Sequence, residues 1–451
     1  MIDQANEPQE RLVVFSRYPE PGKTKTRLMP VLGGQGAADL HRQMAELAVV
    51  RAETVADDRP VSVEVRCEGG GTDQFTQWLG PHLRYMDQGD GGLGERMHRA
   101  FDDAAREGTE RTVIVGTDCP GLTDEIIVRA FDLLRENDLV LGPAADGGYY
   151  LIGLRRPVQE LFDGVPWGTA GVLRQTLDIA EDLGLSAALL DELRDVDRPE
   201  DIAVWETELA GLPSPVREAL ARMSMPISVV VPVLNEADNI GPALGSIDGA
   251  QHIEVIVADG GSEDGSREIA ATCGAQVITS ARGRARQMNA GAEAATGDIL
   301  LFLHADTRLP LGFAHHVRQM LSEPGVVAGA FELGIDAPGR GLRAVERVAN
   351  LRSRRLQLPY GDQALFLKAP LFRELGPFPD IPIMEDIELV RRLRRKGRVA
   401  IAPAAVASSA RRWQKLGVCR TTFINWASVT AYVLGVDASR IARWYRRPDP
   451  V

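Results

Sequence analysis

Short apolar runs alternate with longer amphipathic segments along the whole chain. The apolar runs at 11–16, 111–116 and 227–233 each predict a buried strand, and segments such as 36–55 and 284–295 carry apolar residues at helical spacing. Strands that alternate with helices in this way indicate an α/β fold with a mostly parallel sheet.

The run at 299–303 is the most informative, because a polar cluster follows it directly. Five apolar residues lead into His304, Ala305 and Asp306, and a break at 307–310 comes next. Such a run is typical of a buried parallel strand. Open α/β sheets bind ligands at the carboxyl ends of their strands. A carboxylate there can hold a divalent cation, which in turn can hold a diphosphate.

The same pattern occurs once in each half of the chain. The apolar run at 112–115 leads to Asp118, just as the later run leads to Asp306. A helical segment containing a methionine, Met97 or Met288, precedes each of these strands. The repetition indicates either two tandem copies of one nucleotide-diphosphate-binding fold or a chance similarity between α/β units.

Composition and length support more than one domain. The chain has 451 residues, of which 44% are hydrophobic and 25% charged, as in ordinary globular proteins. A stretch rich in Pro, Gly and Ser separates the two halves. We therefore predict a first domain at 10–208, a linker at 209–225 and a second domain at 226–440.

Several classes of protein are disfavoured. No apolar stretch reaches the length of about 18 residues that spans a bilayer, and the polar segment 1–11 does not resemble a signal peptide. The four cysteines are scattered, which argues against a zinc site or a disulfide scaffold and suits a reducing cytoplasm.

Charge is unevenly distributed. The net charge of −12 makes nucleic acid an unfavourable partner, yet the segment 387–451 holds 14 Lys and Arg against 3 Asp and Glu. This basic region is either a solvated helix face or a surface that attracts substrate phosphates or an anionic membrane. We therefore expect a cytoplasmic protein and leave peripheral membrane contact open.

Polar residues end several strands of the second half. Pro232, Asn235 and Glu236 end the strand at 227–233, and Asp259 ends the next strand before two glycines. Asp259 is suited to a base or ribose, although a turn aspartate can also satisfy its own backbone. Arg284 and Gln287 open a helix, where N–H groups and basic side chains favour a diphosphate.

From 226 to about 413 the chain resembles the family-2 glycosyltransferases, which have the GT-A fold. The matching motifs are Val-Pro-Val-Leu-Asn-Glu at 231–236, Asp259, the His304-Ala305-Asp306 variant of the Asp-x-Asp signature, and Glu385-Asp386. The resemblance implies that Asp259 binds the nucleoside of a nucleotide-sugar and that Asp306 binds Mg²⁺ or Mn²⁺ at the diphosphate.

The same resemblance assigns the acceptor chemistry. It implies that Asp386, beside Glu385, deprotonates the acceptor hydroxyl for an inverting displacement; acids at a helix start can also be simple caps. Arg412 and Trp413 either face the diphosphate or pack on the surface. His304 replaces the first carboxylate of the signature, which leaves the metal preference open.

The first half has its own candidates. Lys23, Lys25 and Arg27 follow the first strand and suit a polyphosphate, while Asp118 and Asp146 are carboxylates that could converge on one cation. Residues 11 to about 205 resemble a nucleotidyltransferase-like family related to 2-phospholactate guanylyltransferase. The matching motifs are Pro-Gly-Lys-Thr-Lys-Thr-Arg-Leu, Gly-Thr-Asp-Cys-Pro and Asp-Gly-Gly-Tyr-Tyr-Leu-Ile-Gly-Leu.

We therefore predict two tandem GT-A domains (Rossmann-like, nucleotide-diphospho-sugar transferase type) with mostly parallel mixed sheets. Together they resemble the transferase pair found with arsenosugar and radical-SAM gene sets. The second domain is expected to transfer a sugar from a nucleotide-sugar to a small-molecule or lipid-like acceptor, with Mg²⁺ or Mn²⁺. The first is expected to bind a nucleotide and either form the donor, transfer a sugar or act as a scaffold. The alternatives are a nucleotidyltransferase and a non-catalytic nucleotide-binding scaffold.

Overall fold

The computed structural model of the chain describes residues 9–445. The ends at 1–8 and 446–451, which include part of the predicted polar N-terminus and of the basic tail, lie outside the described residues. The chain divides into two compact units, 1–223 and 224–451. Across the described range, no helix is both long and apolar enough to cross a membrane.

The first unit contains a seven-stranded sheet in the order β3-β2-β1-β4-β6-β5-β7. The strands are β1 (Glu10–Arg17), β2 (Val61–Glu68), β3 (Arg84–Asp87), β4 (Arg111–Val115), β5 (Leu139–Pro143), β6 (Tyr149–Leu154) and β7 (Ala187–Leu189). All run parallel except β6, which is antiparallel to both of its neighbours. The helices are α1 (Met29–Asp58), α2 (Thr72–Leu79), α3 (Leu93–Arg106), α4 (Asp124–Leu133), α5 (Val172–Asp182), α6 (Ile202–Gly211) and α7 (Ser214–Met223).

The second unit contains an eight-stranded sheet in the order β10-β9-β8-β11-β14-β13-β15-β12. The strands are β8 (Ile227–Val233), β9 (Ile253–Asp259), β10 (Gln276–Thr279), β11 (Ile299–Phe302), β12 (Thr307–Arg308), β13 (Val326–Ile335), β14 (Phe366–Lys368) and β15 (Arg398–Ser408). Only β14 and β12 run against the others.

The helices of the second unit follow its strands on both faces of the sheet. They are α8 (Ala237–Gly245), α9 (Ser266–Thr272), α10 (Arg284–Ala294), α11 (Phe313–Ser322), α12 (Arg340–Leu356), α13 (Ala369–Leu375), α14 (Glu385–Leu393), α15 (Arg411–Leu416), α16 (Val418–Val433) and α17 (Ala438–Tyr445). Short 3₁₀ turns lie at Thr26–Leu28, Gln159–Leu161, Pro199–Asp201 and Gly361–Gln363.

Alternation along the central strands builds a core on each face of each sheet. In β1, Leu12 and Val14 join one apolar cluster and Val13 joins another. In β8, Val229 packs with one cluster and Val230 with the opposite one. All five side chains are fully buried, as expected for parallel strands covered by helices on both sides.

The two sheets share one topology. Strands β3-β2-β1-β4-β6-β5-β7 correspond in order and direction to β10-β9-β8-β11-β14-β13-β15, and β12 is an addition at the edge of the second sheet. The predicted tandem pair of mixed, mostly parallel α/β sheets is therefore confirmed. A chance resemblance of two βα motifs would not reproduce the antiparallel strand at the same place in both sheets.

Two segments differ from the sequence prediction. The predicted linker 209–225 is helical over most of its length, because α7 buries Leu220 against the apolar side of α1. The strand predicted at 299–303 ends one residue earlier, at Phe302, and the chain then turns so that the Thr307 N–H donates to the His304 carbonyl. The polar residues His304 and Asp306 therefore lie on a turn rather than on a strand.

Candidate functional site

A cavity of about 1170 Å³ opens beside the carboxyl ends of β8 and β11 in the second unit. Six of the predicted donor-binding residues line it: Pro232, Glu236, Arg284, Gln287, His304 and Asp306. The strand register explains why they meet, because Phe302 of β11 pairs with Val230 of β8 and both strands end at the same edge. The cavity occupies the position at which open α/β sheets bind their ligands.

Asp306 is placed by the edge strand that follows it. Thr307 in β12 pairs with Ser408 in β15, so the chain crosses to the far side of the sheet directly after the carboxylate. There the Asp306 carbonyl accepts a hydrogen bond of 3.0 Å from the Ser409 N–H. This crossing brings Asp306 against the start of α15.

Arg411, the first residue of α15, joins two carboxylates at the cavity. Its Nη2 lies 2.8 Å from both oxygens of Glu236 and 3.4 Å from Oδ2 of Asp306. The hydrogen bond to Glu236 raises the pKa of Arg411, with Asp306 adding to the effect. A positive charge therefore stands beside the two carboxylates that follow β8 and β11.

The predicted pair Arg412 and Trp413 does not line this cavity. The Arg412 guanidinium stacks 3.5 Å from the centre of the Tyr445 ring, and burial lowers its pKa. Trp413 packs against an apolar cluster that includes Leu333. The basic-aromatic motif thus contributes Arg411 to the site, while its next two residues pack elsewhere, which is the alternative that the sequence left open.

Asp386 and His304 meet across Gly361. The Oδ2 atom of Asp386 accepts a hydrogen bond of 2.6 Å from the Gly361 N–H, and its Oδ1 accepts one of 2.8 Å from the Ile387 N–H. A Cβ atom on Gly361 would lie 3.1 Å from both Asp386 Oδ2 and His304 Nε2. The candidate base, 80 residues along the chain, therefore neighbours the turn that carries Asp306.

His304 is a neutral imidazole near pH 7. Burial, and then the charge of Arg284, hold the pKa of His304 well below its ordinary value. The side chain can accept or donate one hydrogen bond at each ring nitrogen, but it adds no charge to the cavity.

Glu385 has a different role from Asp386. Its side chain is buried, and its Oε1 lies 3.7 Å from Nη1 of Arg284. Glu385 therefore pairs with Arg284, which lines the cavity, but Glu385 itself does not line it.

Three predicted donor-binding residues form hydrogen bonds that stabilise loops or join neighbouring strands. Both oxygens of the fully buried Asp259 accept hydrogen bonds from the Gly261 and Ser262 N–H groups at 3.0 and 3.2 Å. Gln287 donates to the Val233 and Ala258 carbonyls, which ties β8 to β9. Asn235 accepts from the Glu263 N–H at 2.9 Å. Asp259 thus adopts the turn arrangement that the sequence analysis left as its alternative.

The first unit has a smaller cavity, of about 490 Å³, at the same edge of its own sheet. Lys25, Asp118 and Asp146 line it. The Lys25 ammonium lies 2.7 Å from Asp118 Oδ1 and 3.5 Å from Asp197 Oδ1. Burial works to raise the pKa of Asp118, but the Lys25 ammonium outweighs it and the pKa lies below its ordinary value.

These ion pairs do not fit a resident divalent cation in the first unit. Lys25 already neutralises Asp118, and the Asp146 carboxylate accepts a hydrogen bond from the Gly148 N–H. The other two predicted cations are also paired, Lys23 with Glu20 and Arg27 with Asp197. The expected set of unpaired cations around a polyphosphate is therefore absent from the described residues of this cavity.

Two family models match the chain. Residues 50–169 match a family described as an uncharacterized protein conserved in bacteria (DUF2064), and residues 228–371 match the family described as glycosyl transferase family 2. Glycosyltransferase AglE of Haloferax volcanii is 27% identical over 171 residues, which are 34% of this chain. The chain spans 56% of the length of that relative.

Solved structures of sugar-nucleotide enzymes are also similar. A protein of Desulfovibrio desulfuricans G20, provisionally described as a nucleotide-diphospho-sugar transferase, is 33% identical, with 48% of this chain and 94% of that chain covered and a TM-score of 0.43. The mannosyltransferase PcManGT of Pyrobaculum calidifontis, solved with GDP-Man and Mn²⁺, is 24% identical, with coverages of 41% and 56% and a TM-score of 0.34. The chain therefore contains a glycosyl transferase family 2 domain in its second half, preceded by a DUF2064 domain in its first.

Proposed function

We propose that the second unit transfers a sugar from a nucleotide-sugar to an acceptor hydroxyl, with inversion at the anomeric carbon. The observation that supports this proposal is the proximity of Asp386 and His304, which both lie next to Gly361, near the turn that contains Asp306. A general base and a diphosphate-facing carboxylate are the two groups that such a transfer needs.

Asp386 is the proposed base. Its two hydrogen bonds from Gly361 and Ile387 fix the carboxylate and leave it further lone pairs for an acceptor O–H. As the hydroxyl oxygen attacks the anomeric carbon, its proton passes to Asp386 and the nucleoside diphosphate leaves from the opposite side. Arg284 and Arg411 lie where they counter the negative charge of the leaving group.

Asp306 is suited to bind a divalent cation that enters the site together with the nucleotide. No group of three His, Cys, Asp or Glu side chains in residues 9–445 is arranged to hold a metal by itself. Mg²⁺ is commonly held by one or two carboxylates together with substrate phosphates, and Asp306 offers one partly exposed carboxylate. A cation bound there would stabilise the departing diphosphate.

The test uses the full chain with a panel of UDP- and GDP-sugars and either Mg²⁺ or Mn²⁺. Release of nucleoside diphosphate reports turnover, and NMR of the product reports the anomeric configuration. We expect Asp386→Asn to keep donor affinity while turnover falls by about 10²-fold or more. We expect Asp306→Ala to lose donor binding. An Asp386→Asn variant with normal turnover would refute the assignment.

We also propose that the first unit binds a nucleotide, because its sheet order and its cavity position repeat those of the second unit. Whether it forms a donor is a separate proposal, supported by the sequence resemblance alone. Titration calorimetry of the full chain should give two equivalents of bound nucleotide, and Asp306→Ala should leave one. One equivalent in the wild type, lost in Asp306→Ala, would refute nucleotide binding by the first unit.

The remaining finer predictions stay proposals. A cytoplasmic location is supported by four free cysteines, two of which are buried. The predicted division into two domains, 10–208 and 226–440, is supported by the two compact units, but α6 and α7 move the end of the first domain from 208 to about 223.

A further inference from the structure

A large apolar groove lies between α12 and α16 in the second unit. Its volume is about 1430 Å³. Its walls carry apolar side chains that are unusually open to solvent, with Phe423 at 72%, Trp426 at 66% and Leu434 at 78% exposed. Val348 and Leu351 of α12 face the same space. Contiguous apolar surface of this kind marks a site that another molecule covers.

Polar atoms without partners lie inside the same groove. The Oδ1 of Asp362, the Oγ1 of Thr422 and the Oδ1 of Asn425 are shielded from water, and no described residue forms a hydrogen bond with them. A buried polar group left unpaired is costly. Two of the three are pure acceptors, so the missing partner must donate hydrogen bonds.

The polar end of the groove adjoins the proposed base. Asp362 belongs to the 3₁₀ turn Gly361–Gln363, whose first N–H donates to Asp386 at 2.6 Å. Burial raises the pKa of Asp362 to about 6, and the charges of Asp386 and Asp306 add to the rise. Asp362 therefore lines the apolar groove and also lies close enough to Asp386 and Asp306 for their charges to raise its pKa.

Ring stacking and hydrogen bonds fix one side of the polar end of the groove. The Arg352 guanidinium stacks 3.4 Å from the centre of the Tyr360 ring and donates hydrogen bonds to the Leu358 carbonyl and to Gln363. Gln363 in turn donates to the Phe331 carbonyl at 2.8 Å. The turn that carries Asp362 is therefore held in place from both sides, as a binding site for a specific head group requires.

We propose that this groove binds the acceptor, an amphiphilic alcohol whose apolar chain lies between α12 and α16 and whose hydroxyl end reaches Asp362. The inference rests on the proposed function and names its substrate class. The alcohol oxygen forms the bond to the anomeric carbon as the bond from that carbon to the diphosphate breaks. Its proton passes to Asp386, and Asp362 positions the head group. An alcohol suits the unpaired acceptor atoms better than a protein helix, whose backbone donors are already used.

Bromoundecanol is a suitable probe, because its bromine quenches tryptophan fluorescence and Trp426 lies in the groove. In the full chain we expect saturable quenching that Trp426→Phe largely removes. We expect Phe423→Arg to weaken binding at least about tenfold. Val433→Arg is the matched control, since Val433 is 58% exposed on the same helix but is not part of the groove wall; it should bind normally. Bromoundecane, which lacks the hydroxyl, should bind more weakly.

Transfer is measured separately from binding. Nucleoside diphosphate release from the donor without alcohol reports the donor site alone, and a glycosylated alcohol seen by mass spectrometry reports the acceptor site. If nucleoside diphosphate is released but no alcohol binds, the groove assignment is overturned and the proposed function stands. The same holds if bromoundecane binds as tightly as bromoundecanol. Bound alcohol with no release from any donor would overturn the proposed function. A wild-type dimer that Phe423→Arg converts to monomers would show that a second copy covers the groove, and would also overturn the inference.

Discussion

Gly361 separates the proposed base from His304, and nothing larger fits between them. A Cβ atom there would lie 3.1 Å from a polar atom of each side chain, so one of them must move. A small displacement of a catalytic group can cost about 10²-fold in rate. We expect Gly361→Ala to lower turnover by about tenfold or more with little loss of stability, as measured by nucleoside diphosphate release and thermal unfolding.

Gly245 provides the control for this change. A Cβ atom at that helix end meets nothing within 4 Å, and its backbone does not adopt a positive φ. Gly245→Ala should leave turnover unchanged. Equal activity of the two alanine variants would show that the contact across Gly361 has no bearing on catalysis.

The shifted carboxyl of Asp362 makes stability depend on pH. Because its folded-state pKa is about 6, above the ordinary value, the folded protein holds this proton more tightly than the unfolded chain does. Its stabilising contribution is present below about pH 4 and is lost as the pH rises towards 6. We expect Asp362→Asn to raise the free energy of unfolding at pH 8 by ~2 kcal/mol, with no gain at pH 4.

Chemical denaturation at the two pH values measures this difference. Glu293→Gln is the control, because Glu293 is an exposed carboxylate of α10 in the same unit and should show no pH-dependent gain. An equal gain for Asp362→Asn at both pH values would contradict the assigned pKa.

At the scale of elements, an ion pair joins α10 to the loop before α14 at the donor cavity. Arg286 donates to both oxygens of Asp380 at 2.8 to 3.0 Å, and both residues line the cavity. Exposed ion pairs are weak because solvent screens them, so a diphosphate can compete for the arginine. We expect Asp380→Asn to strengthen nucleoside diphosphate binding by up to about fivefold, as measured by titration calorimetry at low salt.

A similar pair away from the cavity tests whether this gain is local. Arg398 and Glu323 are 2.5 Å apart and comparably exposed, and neither lines the donor cavity. Glu323→Gln should leave nucleotide affinity unchanged. If both variants gain affinity equally, overall charge rather than release of Arg286 is the cause.

The regular elements were predictable because their apolar residues follow a period. The strand predicted at 227–233 matches β8, and the helix predicted at 284–295 differs from α10 by one residue. The end of β11 was placed one residue too late, because Leu303 continues the apolar run and its N–H still donates to the Val230 carbonyl, although β11 itself ends at Phe302. Burial alone does not distinguish a strand from the turn that follows it.

The site was predictable where polar side chains follow the ends of the central strands. Glu236, His304 and Asp306 line the cavity as expected. Asp259 turned inward because its own loop supplies three N–H contacts. Arg411 was missed, and its neighbours Arg412 and Trp413 were named instead. The order of adjacent residues in a sequence does not show which of them faces the ligand. The surroundings of Asp362 were not predictable, because α16, which forms part of its groove, lies further along the chain.

At the scale of the whole molecule, each unit has a complete sheet and apolar clusters on both faces. A domain with its own core can in principle fold alone. We expect residues 224–451, expressed separately, to show cooperative thermal unfolding and to keep nucleoside diphosphate binding within about threefold of the full chain, a modest change in free energy.

The matched control is a fragment that begins ten residues later, at 234, and therefore lacks β8 (Ile227–Val233). Its missing residues pair with both β9 and β11 at the centre of the sheet, so this fragment should not fold. Failure of both fragments would show that the second unit depends on the first.

The neutral His304 also bears on the order in which ligands reach the enzyme. With an imidazole in place of a carboxylate, the turn offers a free cation a single negative charge, and Arg411 already offsets part of it. A bare metal ion therefore gains little by binding first. On the proposed function, cation and nucleotide-sugar enter as one complex, so initial rates should follow the concentration of that complex and should stop rising once excess free metal no longer increases it.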